Sequence, residues 1–215
     1  MKKLESSLAN MVIVLTVITV VAGAALAYVN YATSSQIEKI KADNLAKGIK
    51  QVMGVALNSD FQYETDTVEA SADNKAVTYI FYKSDKGTAI QSTTNGFGGP
   101  LTVLVGFDPE GTVLGYTILE HSETPGLGAK AGEWFQKGNR GDIIGKNPGE
   151  VKFGVTKGGE GDIDAITAST ITSRAFLLAV QNAYDQLTNG NTNANTGASQ
   201  QANASAPTKE GGNNE

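Results

Sequence analysis

The sequence predicts an α+β domain of antiparallel strands and packed helices, carried behind one membrane-spanning helix. Three observations predict it. Between Val77 and Leu119, β-branched and aromatic runs alternate with short turn signals, the pattern of consecutive hairpins. From Thr172 to about Leu187, apolar residues recur at helical spacing, with Ala175, Phe176, Ala179, Val180, Ala183, Tyr184 and Leu187 on one face. Near the N-terminus, Met11 to Val29 is apolar and uncharged, and no charge follows until Glu38.

Taken in order, residues 1–10 carry Lys2, Lys3 and Glu5. The apolar run from Met11 gives about 30 Å of helix at ~1.5 Å per residue, the thickness of a bilayer core. We assign residues 11–31 to a transmembrane helix, with Tyr28 and Tyr31 at the far interface. Lys2 and Lys3 then keep residues 1–10 cytoplasmic and place the main domain outside, periplasmic or extracytoplasmic. The alternative is a cleaved signal peptide, with Ala25-Leu26-Ala27 as the cleavage site. Both readings export the domain, which we bound at residues 32–188.

Within it, Ile37 to Met53 reads as an amphipathic helix leaving the membrane and packed on the domain. Residues 54–76 are mixed and polar and say little. Val77–Phe81 and Thr88–Thr93 flank the turn Ser84-Asp85-Lys86-Gly87. Asn95-Gly96-Phe97-Gly98-Gly99-Pro100 is a glycine-rich loop, either a plain connection or a place where backbone approaches a flat ring. Leu101–Phe107 and Val113–Leu119 form the clearest hairpin, across Asp108-Pro109-Glu110-Gly111. Trp134, the only tryptophan, belongs to the core or stacks on a ring. Val151–Val155 and Asp162–Ile166 read as strands around a turn at residues 157–161. The helices are expected at the two ends of the domain. Residues 189–215, rich in Asn, Gly, Ser, Thr and Gln, cannot bury enough surface to offset ordering entropy and read as a disordered tail.

Composition narrows the chemistry. The chain has 215 residues, a net charge of −5, one histidine and no cysteine. An acidic chain with no basic stripe argues against nucleic acid as a partner. The absence of cysteine removes disulfides, thiolate metal sites, iron–sulfur ligation and a thioether-linked flavin. No metal site is expected from a lone histidine, and redox chemistry would need a bound organic cofactor.

The densest chemical signal is Asp164-Ala165-Ile166-Thr167-Ala168-Ser169-Thr170-Ile171-Thr172-Ser173, in which five side chains carry hydroxyls. It stands where the last helix begins. Unpaired N–H groups and the positive dipole end favour an anion there, phosphate above all, although capping by Ser or Thr accounts for a hydroxyl cluster as simply. Arg174, in the first turn, is suited to pairing with a phosphate. Asp164 is expected to hold the loop by hydrogen bonds.

This stretch resembles the attachment motif of the FMN-binding domain family, Asp-x-x-(Ser/Thr)-Gly-Ala-Thr-x-(Ser/Thr). Ala168 stands where glycine is usual and Ser169 where alanine is usual. A second stretch, His121-Ser122-Glu123-Thr124-Pro125-Gly126-Leu127-Gly128, is similar to the family's His-x-Glu-Thr-Pro-Gly-Leu-Gly segment. With the N-terminal anchor, the whole pattern resembles the G-subunit family of Rnf-type electron-transport complexes. The resemblance implies covalent FMN, with its phosphate esterified to Thr170 and Ser169 a rival hydroxyl. It implies cofactor contacts from Thr167, Ala168 and Ser169, from His121, Glu123, Thr124, Leu127 and Gly128, and from Gly96, Phe97 and Gly98 of the glycine loop.

The same resemblance implies an electron-transfer subunit of an ion-translocating ferredoxin:NAD oxidoreductase, partnered by the other subunits of the complex. It also implies a flavin transferase that attaches FMN from FAD with Mg2+. The C subunit of the sodium-translocating NADH:quinone reductase carries the same kind of motif, but is usually longer before the His-containing loop. Two other classes stay open from the residues alone: an exported serine hydrolase using Ser169 and His121, and a surface binding module. The first lacks a nucleophile-elbow pattern.

Overall fold

The computed structural model of the chain describes residues 8–58, 61–72, 75–155 and 161–188. Its first element, α1 (Leu8–Val52), is one helix of 45 residues. By length and apolar composition it suffices to cross a membrane. Hydroxyls inside the apolar run bond back to their own helix: Thr16 Oγ1 donates to Val12 O and Thr19 Oγ1 to Thr16 O, both at 2.9 Å. Such side chains need no water, which is what a bilayer interior demands of them.

The chain divides into two compact units, with the division between Asn44 and Leu45. The second unit is built on a five-stranded antiparallel meander in sequence order: β1 (Glu64–Ala72), β2 (Lys75–Ser84), β3 (Gly87–Asn95), β4 (Pro100–Phe107) and β5 (Val113–His121). The register follows the expected hairpins, with Thr88 opposite Phe107 and Leu104 opposite Thr117. Alternation along the strands gives the sheet two apolar faces.

One face carries the larger core. Tyr79, Ile90, Val103, Val105 and Phe107 pack there with Phe176, Ala179 and Val180 of α3 (Thr170–Thr188). Phe176 is held between two aromatic neighbours. It stacks on Phe135 with centroids 4.3 Å apart and meets Tyr116 edge-on at 4.7 Å. Thr94 Oγ1 donates to Ala175 O at 2.8 Å and pins the helix to β3. A short 3-10 turn (Gly128–Lys130) and α2 (Ala131–Trp134) lead from β5 under α3, and Tyr116 Oη donates to Ala131 O at 2.8 Å.

The opposite face receives the last turns of α1. Ile49, Val52 and Met53 are buried against Tyr82, Ala89 and Leu104. Close approach is possible because Gly106 and Gly115 face each other across β4 and β5. A Cβ at Gly106 would lie 2.5 Å from Val52 O, and one at Gly115 would lie 3.1 Å from Val52 Cα. Side chains at these two positions would lift the helix off the sheet.

Several expectations change. The helices expected at 11–31 and 37–53 are one element, and Ile37 and Ile40 are exposed. The last turns of α1, from Leu45, and α3 lie on the two faces of the sheet, where helices at the two ends of the domain are expected. Val151–Val155 and Asp162–Ile166 are not strands. They meet only at a parallel bridge between Val155 and Ile163, because Asp162 Oδ2 and Lys152 O close the segment into a loop through bonds to Lys152 N and Asp162 N. The expected turn at 157–161 falls largely, and the expected tail at 189–215 wholly, outside the described residues. Strand β1 was not anticipated.

Tyr79 gives this core a pH limit. Its hydroxyl is buried with no hydrogen-bond partner among the described residues, and burial, with Asp185 adding, pushes its pKa up to about 12. An acid with a raised folded pKa contributes stability that is complete below its unfolded value, near 10, and is lost as pH rises through the folded value. Thermal melts are expected to lose on the order of 2 kcal/mol between pH 10 and 12, and Tyr79→Phe to remove that part of the loss. Tyr116, buried beside Phe135 and Ala131, is pushed up as well by burial, so the Tyr79→Phe protein retains a further alkaline decline.

Candidate functional site

Three segments meet at the start of α3. The first is the loop before it. Ser169 N donates to Ile166 O at 3.0 Å, closing a turn whose third residue, Ala168, has φ 61°. This is the left-handed region, where a Cβ costs about 1–2 kcal/mol and glycine is at home. The sequence departs from the family pattern at this position, and the turn shows why glycine is usual there. Ala168→Gly is expected to stabilise the domain by roughly 0.5–1 kcal/mol, seen as a Tm rise of about 2–4 °C. The turn is tied down on both sides. Ile166 N donates to Ser173 Oγ at 2.9 Å, Ser173 Oγ donates to Ser169 O at 3.0 Å, and Trp134 Nε1 donates to Asp164 O at 2.9 Å. Asp164 thus holds the loop through its carbonyl.

The second segment is the 121–130 loop. Its carboxylate, Glu123, is 5% exposed and its two oxygens are both engaged. Oε1 accepts Phe97 N at 2.8 Å and Gly98 N at 3.3 Å, and Oε2 accepts Thr172 Oγ1 at 2.8 Å. One side chain therefore ties this loop to the glycine loop and to the first turn of α3. The glycines are required by this contact. A Cβ at Gly96 would collide with Glu123 Oε1, one at Gly98 with Ser122 O, and one at Gly128 would sit 2.7 Å from Thr172 Oγ1.

The third segment is the glycine loop, closed by Gly96 N donating to Gly99 O at 2.9 Å. It presents Phe97, 72% exposed, across from Leu127, 43% exposed. Between them lies a depression of about 440 Å³, floored by Glu123, Thr124 and Gly128 and bounded by residues 168–172. Behind the same ridge is a second depression of about 410 Å³, lined by Trp134, Arg140, Asp164, Ala165, Ile166 and Thr167. Ala168 and Thr170 line both.

The structure brings together most of the residues singled out by sequence. Phe97, Glu123, Thr124, Leu127, Gly128, Ala168, Ser169 and Thr170 line the first depression. Gly96 and Gly98 stand behind it as the close-approach positions against Glu123 and Ser122. Thr167 opens on the second depression. His121 does not line either; it ends β5, and its Nδ1 accepts the Glu123 N–H at 3.2 Å, shaping the loop. Ser169, 8% exposed, is on the first depression without His121, so the pair needed by a serine hydrolase is not assembled. Arg174 is 6% exposed within α3 and lines neither depression. The cation that sequence reasoning missed is Arg140, which opens on the second depression beside Thr170. Nothing in its local sequence marks it, because the fold alone brings residues 134–140 to the ridge. Trp134 packs against the main core and lines that same depression.

The site has the attributes a flavin mononucleotide needs. Apolar faces at Phe97 and Leu127 suit a flat ring, glycine backbone suits its polar edge, and a threonine opens the helix on the ridge, where N–H groups favour phosphate.

Comparison with known proteins agrees with this geometry. Residues 96–185 match the FMN-binding domain family, a span that begins in the glycine loop and ends in α3. The chain is similar to the G subunit of the Na(+)-translocating ferredoxin:NAD(+) oxidoreductase complex of Acetobacterium woodii, at 32% identity over 78% of this chain and 86% of the relative. It is similar to the G subunit of the ion-translocating oxidoreductase complex of Vibrio vulnificus, at 30% identity over 74% of this chain and 80% of the relative. It also resembles the G subunit of the proton-translocating ferredoxin:NAD(+) oxidoreductase complex of Clostridium ljungdahlii, at 28% identity over 81% of this chain and 88% of the relative.

Proposed function

Because the chain belongs to the G-subunit family of ion-translocating oxidoreductase complexes, we propose that it is the membrane-anchored electron-transfer subunit of such a complex, an Rnf-type ferredoxin:NAD oxidoreductase, with FMN joined to Thr170 Oγ1 by a phosphoester. The observation that carries this reading is the convergence of the glycine loop, the 121–130 loop and Thr170 on one depression.

The chain's residues divide the work. Phe97 and Leu127 offer the ring its apolar contacts. Thr124 and the backbone around Gly98 and Gly128 offer hydrogen bonds at its edge. The first N–H groups of α3 and the Arg140 guanidinium favour the phosphate near Thr170. FMN, when bound, would supply both one- and two-electron transfer. The ester would be made by a separate flavin transferase, using Mg2+: the Thr170 hydroxyl would take the FMN phosphoryl group from FAD, breaking the pyrophosphate bond and releasing AMP. A covalent link suits an exported domain, which has no means to recapture a lost cofactor. A flavin held there would exchange electrons with centres of the other subunits, and the chain would need no substrate pocket of its own.

Residues 11–31 of α1 anchor the chain, residues 1–10 lie in the cytoplasm and the domain through residue 188 lies outside, followed by a polar tail at 189–215. The absence of cysteine makes orientation directly measurable. With single cysteines at Ser6 and Ser199, a membrane-impermeant maleimide applied to intact cells is expected to label only the second. Labelling of the first alone contradicts the orientation. For the cofactor, protein made with a flavin transferase is expected to fluoresce as a band in a denaturing gel, and protein made without it to be dark. A dark band in both, with esterase activity, would favour the hydrolase instead.

A further inference from the structure

Glu123 was expected to touch the cofactor; its geometry says more. It is a buried carboxylate in the wall of the first depression, and among the described residues it has no ion-pair partner. It accepts three hydrogen bonds, from Phe97 N, Gly98 N and Thr172 Oγ1. These donors hold it rigidly and make its burial tolerable, but they are dipoles and leave its full charge in place. The glycines at 96 and 128 pack against its two oxygens, so no solvent layer lies between it and those segments. A fixed charge in a water-poor wall acts on neighbouring charge far more strongly than one in water.

We propose that the Glu123 carboxylate holds the reduction potential of the bound flavin lower than the same depression would give without it. This rests on the FMN reading above. Adding electrons to the flavin adds negative charge to the depression. The carboxylate opposes that change, and among the described residues no lysine or arginine is paired with it to cancel the effect. Its hydrogen bonds to two loops and α3 fix its position, so the opposition does not relax as electrons arrive. Glu123 is in this sense a positioning residue for three segments and an electrostatic determinant of the electron-transfer step.

The test is reductive titration of the flavin-loaded full chain, with dithionite and mediator dyes, for wild type and Glu123→Gln. Glutamine keeps the size. Its carbonyl oxygen still accepts Phe97 N and Gly98 N, and the Thr172 hydroxyl, which has free lone pairs, turns to accept from its NH2. The expected result, read on the fraction that carries FMN, is a potential shifted to a more positive value. A flavin-loaded Glu123→Gln protein at the wild-type potential overturns the proposal. If Glu123→Gln does not fold, Thr172→Val reads the same quantity with the opposite sign. It removes the hydroxyl dipole that offsets part of the charge, and the potential is expected to fall, whereas an unchanged potential overturns the proposal. Wild-type protein without attached flavin would sink the FMN reading itself, which keeps the two failures apart.

Discussion

Replacing Thr170 with alanine is expected to yield folded, colourless protein. The two halves of that expectation have separate causes. Thr170 is the first residue of α3, is only half-buried, and stands beside both depressions. Alanine is the stronger helix former, so stability should change by less than about 0.5 kcal/mol. The oxygen that would carry the phosphate is gone, so covalent FMN should fall to background in intact-mass spectra. Ser169 supplies the contrast. It is 8% exposed, its carbonyl receives both Ser173 N and Ser173 Oγ, and it is fixed in the turn rather than presented on the ridge between the depressions. Ser169→Ala is expected to retain the flavin. Full FMN on Thr170→Ala would move the attachment to another hydroxyl and contradict the assignment.

The second large effect concerns where the domain begins. A soluble form starting at Leu45 is expected to fold, and one starting at Gly54 is not. Ile49 and Val52 are fully buried and Met53 is 4% exposed, and removing them uncovers Tyr82, Ala89 and Leu104. At about 1.5–3 kcal/mol for each large apolar side chain, the loss is roughly 5–9 kcal/mol. That is comparable to the whole stability of a domain, about 5–15 kcal/mol. Far-UV circular dichroism melts decide it: a cooperative transition for the longer form and none for the shorter. A cooperative melt from the Gly54 form would show that the helix end is an accessory rather than part of the core.

The residues announced some of this and hid the rest. Strands β2 to β5 were legible because their apolar residues alternate between turn-forming pairs, and α3 because its stripe recurs at helical spacing. The continuity of α1 was hidden by the change in character after Tyr31, where Ser, Thr and charged residues break the apolar run without breaking the helix. Strand β1 carries Glu64, Asp66 and Glu69 and lies at the sheet edge, where one neighbour supplies the pairing and little apolar pattern is required. Val151–Val155 has the composition of a strand, but the meander is complete without it, and local bonds to Asp162 bend it into a loop. At the site, the motif residues were readable as a set. What the letters could not give is that Glu123 spends both oxygens on backbone and hydroxyl partners, that His121 turns to its own loop, or that Arg140 arrives from a distant segment. Those depend on which loops the sheet brings to one end of α3.

The most direct measurement is fragment mass spectrometry of the tryptic peptide covering residues 158–174, from protein isolated from its native membrane. This peptide holds Thr167, Ser169, Thr170, Thr172 and Ser173, so backbone fragments separate every candidate hydroxyl. The proposed chemistry requires the mass of FMN on that peptide, located at Thr170. A peptide found only at its unmodified mass, in a preparation where the complex is active, would contradict the central claim.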